Sequence, residues 1–354
     1  AEDGIRDRSP SRGLGDVYKR QVINWLRIRT MLVISIIHKL HTRVIDFTLA
    51  FPQEDLEETV YMRVPPKFNI EQEESSNYVL RLRKNLYGLK QAAYNWFETL
   101  SNALVHRGLI QSQNDPCLFM KKGMILLVYV DDCLIFTTSS QLADDLIQSL
   151  TTGDENFILT DEGNVETYLG MKVNKEEEKI TLSQTALIEI ILAEVNIDSR
   201  DQVEEIPPIK PLLTNDPNGP DRKYDWHYRR IIGMLTYLQG MSRPDLEMAV
   251  HQVARFSNYP KASHERAIRQ ICKYLNNTKK NGITYLPIKD KGIECYVDAD
   301  FAGGWNNTEP QEVSNLYSRT GYVLMYAGCP AVSYTHLRAH ETDSYLVCRL
   351  LLEK

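Results

Sequence analysis

Apolar residues along the chain fall first at helical and then at strand spacing. Val22, Trp25, Leu26, Leu32, Val33, Ile36, Ile37 and Leu40 approximate a 3.6-residue period, which predicts a helix over residues 22–42. Residues 43–51 read as a strand, followed by an acidic turn at 54–58 and short strands at 59–64 and 78–82. Residues 85–107 read as a helix with Leu86, Leu89, Ala93, Trp96, Phe97, Leu100 and Leu104 on one apolar face. Residues 125–130 and 133–136 are apolar runs joined by Asp131-Asp132, which predicts a tight hairpin with two carboxylates at its tip.

Further on, the spacing predicts a helix over 141–150, a strand over 168–173 and a helix over 182–196. Pro207, Pro208, Pro211, Pro217 and Pro220 mark a linker. Three helices follow near 225–240, 244–257 and 261–277, with Arg243-Pro244 allowing a break between the first two. Residues 282–286, 293–297 and 322–326 return to strand character, and no internal repeat is visible. The pattern is that of an α+β protein. Residues 1–21 are polar and show no apolar period, so they are read as unstructured.

Composition narrows this little. A chain of 354 residues with 43% hydrophobic and 25% charged residues is that of an ordinary folded protein, not a disordered tail, a collagen or a coiled coil. No apolar run approaches the ~18 residues a membrane span needs; the best, residues 31–37, is short and interrupted by Ser35. Cys117, Cys133, Cys272, Cys295, Cys329 and Cys348 form no C-x-x-C pair, which argues against a zinc ribbon or a disulfide framework and for a reducing compartment. The chain starts without Met, its first being Met31, so the native frame is expected to begin upstream.

Charge changes the picture more. The net −6 hides −13 over residues 129–210 (5 basic, 18 acidic) and +6 over 211–290 (13 basic, 7 acidic). Phosphate contact needs local cations only. Arg81, Arg83, Lys84 and Lys90 form one candidate group, and Lys261, Arg266, Arg269, Lys273, Lys279 and Lys280 another. The plain alternative for both is a solvated face.

Adjacent aspartates on an apolar hairpin are costly to bury unless cations or other donors meet them. Hard divalent cations take carboxylate oxygens, and Mg²⁺ keeps positions open for phosphates. A third carboxylate on a neighbouring strand would complete a two-metal site, and Asp46, within R-V-I-D-F-T-L-A-F (43–51), is the candidate. In isolation, Asp-Asp is also a common turn dipeptide.

Tyr129-Val130-Asp131-Asp132 resembles the catalytic hairpin of reverse transcriptases. Six strings in order look like the copia-type retrotransposon polymerase: N-L-Y-G-L-K-Q-A (85–92), L-V-Y-V-D-D (127–132), Y-L-G-M-K (168–172), Y-R-R-I-I-G-M-L-T-Y-L (228–238), S-R-P-D-L (242–246) and Y-V-D-A-D-F-A-G (296–303). The resemblance covers about residues 22–332. It implies a right-hand polymerase palm at 22–180 with the fingers largely missing, a helical connection and thumb-like segment at 181–282, and the truncated start of an RNase H-like α/β domain at 283–332.

The resemblance also implies the chemistry. RNA-directed DNA synthesis would use two Mg²⁺, with Mn²⁺ as a substitute. The partners would be an RNA or DNA template, a primer, deoxynucleoside triphosphates and other parts of a parent polyprotein, in a cytoplasmic virus-like particle and the nucleus. Asp46 and Asp131 match the stronger metal ligands and Asp132 the third, with the backbone carbonyl of Phe47 beside them. Phe51 matches the aromatic that screens the incoming sugar; its plain alternative is a core ring. Gly88, Lys90, Gln91 and Tyr129 match positions near the nucleotide and template, Gly88 being otherwise an ordinary turn residue before a helix. Tyr168, Gly170 and Met171 match the strand pair at the primer end. Arg266, Arg269 and Lys273 would meet duplex phosphates without reading sequence. Asp298 matches the first metal-binding aspartate of the RNase H-like start; Asp300 lies on the same side of the strand and is read as a surface carboxylate.

Two departures stand out. Residues 1–21 and 333–354 look like translated library adaptor and are set aside from fold reasoning, the family's strand pattern stopping near Ser333. His336, His340 and Glu341 have metal-ligand spacing but fall in that tail. A rival reading is therefore an inactive fragment or relic that retains only nucleic-acid binding. A third, resting on Asp298, is a metal-dependent hydrolase of RNA–DNA hybrids.

Overall fold

A computed structural model describes residues 23–56, 58–65, 78–197, 213–300 and 318–338, with side chains omitted at 300, 318, 319 and 333–338. The segment 1–21, Pro207, Pro208, Pro211, His340, Glu341 and the side chains of Asp300 and His336 lie outside the described residues. Helix and strand are mixed, as an α+β pattern requires. In chain order the elements begin with α1 (Trp25–Ile37), β1 (His41–Phe47), α2 (Ala50–Gln53), β2 (Tyr61–Arg63), β3 (Val79–Arg81) and α3 (Ala92–His106). Next come β4 (Ile110–Gln111), β5 (Leu118–Lys121), β6 (Met124–Tyr129), β7 (Asp132–Thr137), α4 (Ser140–Thr152) and β8 (Leu159–Gly163). Then follow β9 (Thr167–Tyr168), β10 (Met171–Lys175), β11 (Ile180–Ser183), α5 (Thr185–Glu194), α6 (Tyr228–Met241), α7 (Glu247–Ala254) and α8 (Ala262–Asn277). The last are β12 (Ile283–Tyr285), β13 (Ile293–Asp300), β14 (Ser318–Tyr326) and β15 (Cys329–Arg338). The described residues form two compact units, the first drawn from up to residue 24 and 40–164, the second from 25–39 and 165 onward.

The first unit is built on a six-stranded sheet in the order β4-β5-β6-β7-β1-β8. Its centre is nearly all apolar: Leu126, Leu127, Val128, Cys133, Leu134, Ile135 and Phe136 are buried, as are Val44, Ile45 and Phe47. β1 runs antiparallel to both β7 and β8, so its peptide groups are paired on each side. α3 buries Ala92, Trp96, Phe97, Leu100, Ala103 and Leu104, the i, i+4 stripe its sequence predicts, and α4 buries Ala143, Leu146 and Leu150. The Arg107 guanidinium ties α3 to the end of α4, donating to Ser149 and to the carboxylate of Glu155 at 2.8 Å.

Several predicted elements differ. α3 starts at Ala92, not 85. Residues 85–91 are irregular because Gly88 takes φ +103°, a left-handed conformation that interrupts a helix, while Asn85 is buried with its amide donating to the carbonyls of Glu54 and Asp55. The strand predicted at 43–51 ends at Phe47, where Leu49 at φ 52° starts the short turn of α2. The expected strand at 168–173 is a hairpin, since Leu169 and Gly170 both have positive φ and form a two-residue turn between β9 and β10. Ser333–Arg338, expected to continue no strand, extends β15 along β14. Backbone pairing asks only for an open neighbouring strand edge, which β14 provides.

The second unit combines a helical core with two sheets, β12-β11-β10-β9 and β13-β14-β15. α5 to α8 share one apolar core that includes Ile188, Ile191, Trp226, Ile231, Leu235, Leu246, Val250, Ile268 and Leu275. The buried charges of Arg243, Glu265 and Arg29 each meet hydrogen-bond partners. Arg243, 1% exposed, binds Asp245 at 2.7 Å and the Thr278 carbonyl at 3.0 Å. Glu265 accepts from Arg222 and from the backbone amides of Lys223 and Tyr224. Arg29 of α1 donates to the carbonyls of Gly240 and Met241, the unpaired C-terminal end of α6, and to Ala331.

Because Arg29 is buried, Arg29→Ala leaves those carbonyls without a donor. Unfolding in urea should show a loss of about 1–3 kcal/mol, with Arg29→Lys recovering only part of it because an ammonium lacks the fork geometry.

Candidate active site

The site lies at one end of the central strands of the first unit. The β6–β7 register pairs Tyr129 with Asp132, and the β1–β7 register pairs Asp46 with Asp132. The hairpin tip is therefore Val130-Asp131, one residue earlier than expected, and Asp132 is already the first residue of β7. Val130 sits at φ 56°, an unfavourable conformation for a β-branched side chain. Two hydrogen bonds hold it there: Trp96 Nε1 donates to the Val130 carbonyl at 2.9 Å, and the Phe47 amide donates to the Asp131 carbonyl at 2.9 Å.

Behind the turn, Phe47, Trp96 and Phe157 form an edge-to-face cluster with ring centroids 5.1, 5.4 and 5.7 Å apart. This aromatic layer couples α3, β1 and the segment before β8 to the tip that carries the acids. Trp96 was expected only as a core residue; its indole N–H is also a brace of the site. That role was not legible in the sequence, because the carbonyl it meets is 34 residues away.

Asp46, Asp131 and Asp132 are all half-buried and brought together as expected. Burial, and then the negative charges of Asp46, Glu162 and Asp131, push the Asp132 carboxyl up to about 6. Glu162 of β8 is thus a fourth acid in the local field, and the sequence reading did not assign it. The donor set has the chemistry a hard divalent cation takes, oxygen ligands in a field short of positive charge. Among the described residues, no three His, Cys, Asp or Glu side chains form a ready cation cage.

The phenol of Tyr87, from the irregular segment before α3, donates to Asp131 Oδ2 at 2.7 Å. Partial burial, then the hydrogen bond to and charge of Asp131, and the charge of Asp46, push the Tyr87 hydroxyl up to about 12, so it remains a donor at neutral pH. The Tyr87 ring also lies 4.5 Å from that of Phe51, and Phe51 is 2% exposed. Phe51 is accordingly a covered ring. Tyr87 was missed in the sequence although it stands beside Gly88 in a string already singled out.

Of the other expected positions, Gly88 and Lys90 are exposed on the same segment, and the Gln91 carbonyl accepts from Tyr94 and Asn95 at the start of α3. In the second unit, Tyr168 is buried, Gly170 forms the β9–β10 turn, and Met171 pairs with Tyr168. The Tyr237 hydroxyl donates to the Leu169 carbonyl in that turn at 2.6 Å. Arg266 is exposed and Lys273 half-buried. Arg269 already has partners, donating to the Val195 carbonyl at 2.8 Å with its guanidinium 4.6 Å from the Tyr224 ring centroid. Asp298 is exposed on β13 opposite Gly321.

The raised carboxyl of Asp132 sets a pH dependence. In chelator-containing buffer, protonated Asp132 contributes stability that is full below about pH 4 and is lost as pH rises through about 6. Asp132→Asn should melt a few degrees higher than the parent at pH 7 and lose this part of the pH profile, read by thermal melts from pH 4 to 8.

Comparison with known proteins places the chain in a family. The profile of the family described as reverse transcriptase (RNA-dependent DNA polymerase) matches residues 10–210, more than half of the chain. That range contains Asp46, Tyr87, Asp131 and Asp132, and it begins inside the segment set aside at residues 1–21. The retrovirus-related Pol polyprotein from transposon RE1 of Arabidopsis thaliana is 31% identical over 328 residues, covering 89% of this chain and 21% of that protein. The Pol polyproteins from transposon RE2 of the same plant and transposon TNT 1-94 of Nicotiana tabacum are each 30% identical, with 89% and 92% of this chain covered. The chain spans only 21% to 26% of the length of these three relatives. On the family match and these likenesses, the chain belongs to the reverse transcriptase (RNA-dependent DNA polymerase) family.

Proposed function

We propose that this chain is the polymerase portion of a copia-type retrotransposon Pol protein, adding deoxynucleotides to a primer 3′-hydroxyl on an RNA or DNA template. The observation that carries the reading is the register of β1 against β7, which sets Asp46 opposite Asp132 with Asp131 at the adjoining tip. The six-stranded sheet with α3 and α4 would be the palm, α5 to α8 the thumb-like segment, and β13 to β15 the RNase H-like start.

In this reading Asp46, Asp131 and Asp132 hold two Mg²⁺, with Mn²⁺ able to substitute. When bound, such ions activate the attacking hydroxyl and neutralise charge on the triphosphate and its leaving group. The protein's own residues do the rest. The β1–β7 pairing holds two carboxylates at a set separation, and the Trp96 and Phe47 hydrogen bonds fix the tip that presents the third. Preorganised charge of this kind needs no rearrangement during the reaction. Phe51 would screen the sugar, with Gly88, Lys90, Gln91 and Tyr129 around nucleotide and template. The β9–β10 turn would support the primer end, and exposed Arg266 with Lys273 would meet duplex phosphates. The partners would be template, primer, deoxynucleoside triphosphates and the remainder of the polyprotein.

Primer extension tests the reading. Asp131→Asn and Asp46→Asn should each slow extension by at least about a hundredfold while melting like a folded chain. Extension at the parent's rate by either variant would sink the mechanism and leave a nucleic-acid-binding relic as the better account.

A further inference from the structure

We infer that Tyr87 is a lid and positioning residue for the metal-binding carboxylate. It competes with a divalent cation for Asp131 and must swing away before both the cation and a nucleotide sugar can be seated. This rests on the polymerase reading above and deepens it. Two independent contacts of one side chain carry it. The hydroxyl donates to Asp131 Oδ2 at 2.7 Å, using one of the two oxygens through which that carboxylate would bind a cation. The ring, 4.5 Å from Phe51, lies against the residue that the reading sets against the sugar.

The segment is built to move as a lid would. Asn85 anchors it at one end, buried, with its backbone amide donating to the Glu54 carbonyl at 3.1 Å and its side chain to Asp55 at 3.1 Å. Gly88, at φ +103°, follows one residue after Tyr87, and no atom lies within 4 Å of where a Cβ would stand there. Tyr87 itself is 48% exposed, and the packing that its rotation outward gives up is its contact with the Phe51 ring. Displacing a phenol from a half-buried carboxylate gives up one charge-assisted hydrogen bond, a cost that cation binding can override.

The test is Mn²⁺ binding by the full 354-residue chain, followed by the electron paramagnetic resonance signal of free Mn²⁺, which requires no polymerase activity. Tyr87→Phe keeps the ring on Phe51 and removes only the donor. It should bind Mn²⁺ at least about tenfold more tightly than the parent, the factor expected for one lost competing hydrogen bond to a charged group of about 1.5 kcal/mol. Tyr87→Ala should show at least the same gain. In an Asp131→Asn background, the gain from Tyr87→Phe should vanish. Equal or weaker binding by Tyr87→Phe, or a gain that persists without Asp131, overturns the lid while leaving the metal site standing. No Mn²⁺ binding by parent or variants overturns both the lid and the metal-dependent reading.

Discussion

Antiparallel pairing between β1 and β7 is the constraint on which the rest of the first unit depends. It forces Asp46 and Asp132 to face each other at the end of central strands that are mostly apolar, where two like charges repel and neither is fully solvated. Every other feature near the tip reads as a response to that cost. The carboxyl of Asp132 titrates high, the Tyr87 phenol donates to Asp131, and an aromatic cluster of Phe47, Trp96 and Phe157 braces a turn whose Val130 backbone is strained. A fold selected for stability alone would place a polar uncharged pair here. In the proposed reading, bound cations would offset the cost of three acids at such a point.

The motifs that signal the family divide into two physical kinds. The hairpin string and N-L-Y-G-L-K-Q-A meet at the acids. S-R-P-D-L and Y-R-R-I-I-G-M-L-T-Y-L belong to the helical core instead. Ser242 bonds Gln184, Arg243 is clamped between Asp245 and Thr278, Tyr274 donates to Asp245, and Tyr228 donates to the Val253 carbonyl. Their spelling is explained by buried polar groups that must be satisfied, since a buried guanidinium without partners would cost several kcal/mol. The same logic tempers the basic groups on α8. Arg269 looks like a phosphate contact by charge, yet one of its donors is spent on Val195 and its face on Tyr224.

Most of the architecture was legible from periodicity. α3 beyond residue 92, the β6–β7 hairpin, α4 and the helices α5 to α8 lie where apolar spacing puts them, because each buries a stripe or a run that local sequence defines. The strands β4, β5, β8 and β11 escaped, being two to five residues long with no period to read. They exist because a neighbouring strand supplies the hydrogen bonds. The irregular start at 85–91 escaped for a different reason: Leu86 and Leu89 continue the apolar count of α3, while one glycine in a left-handed conformation breaks the helix.

By itself the sequence determined the identity of the acids, the order of the elements and the family they spell, because each of these is carried by residues close together in the chain. The tertiary structure decided which of those residues meet. Only strand register could bring Asp46 opposite Asp132 across 86 positions, and only packing could reveal that Phe51 is covered and that Tyr87 holds Asp131. The physical reason is that a hydrogen bond or a charge–charge contact acts over a few ångströms in space and is indifferent to the length of chain between its partners.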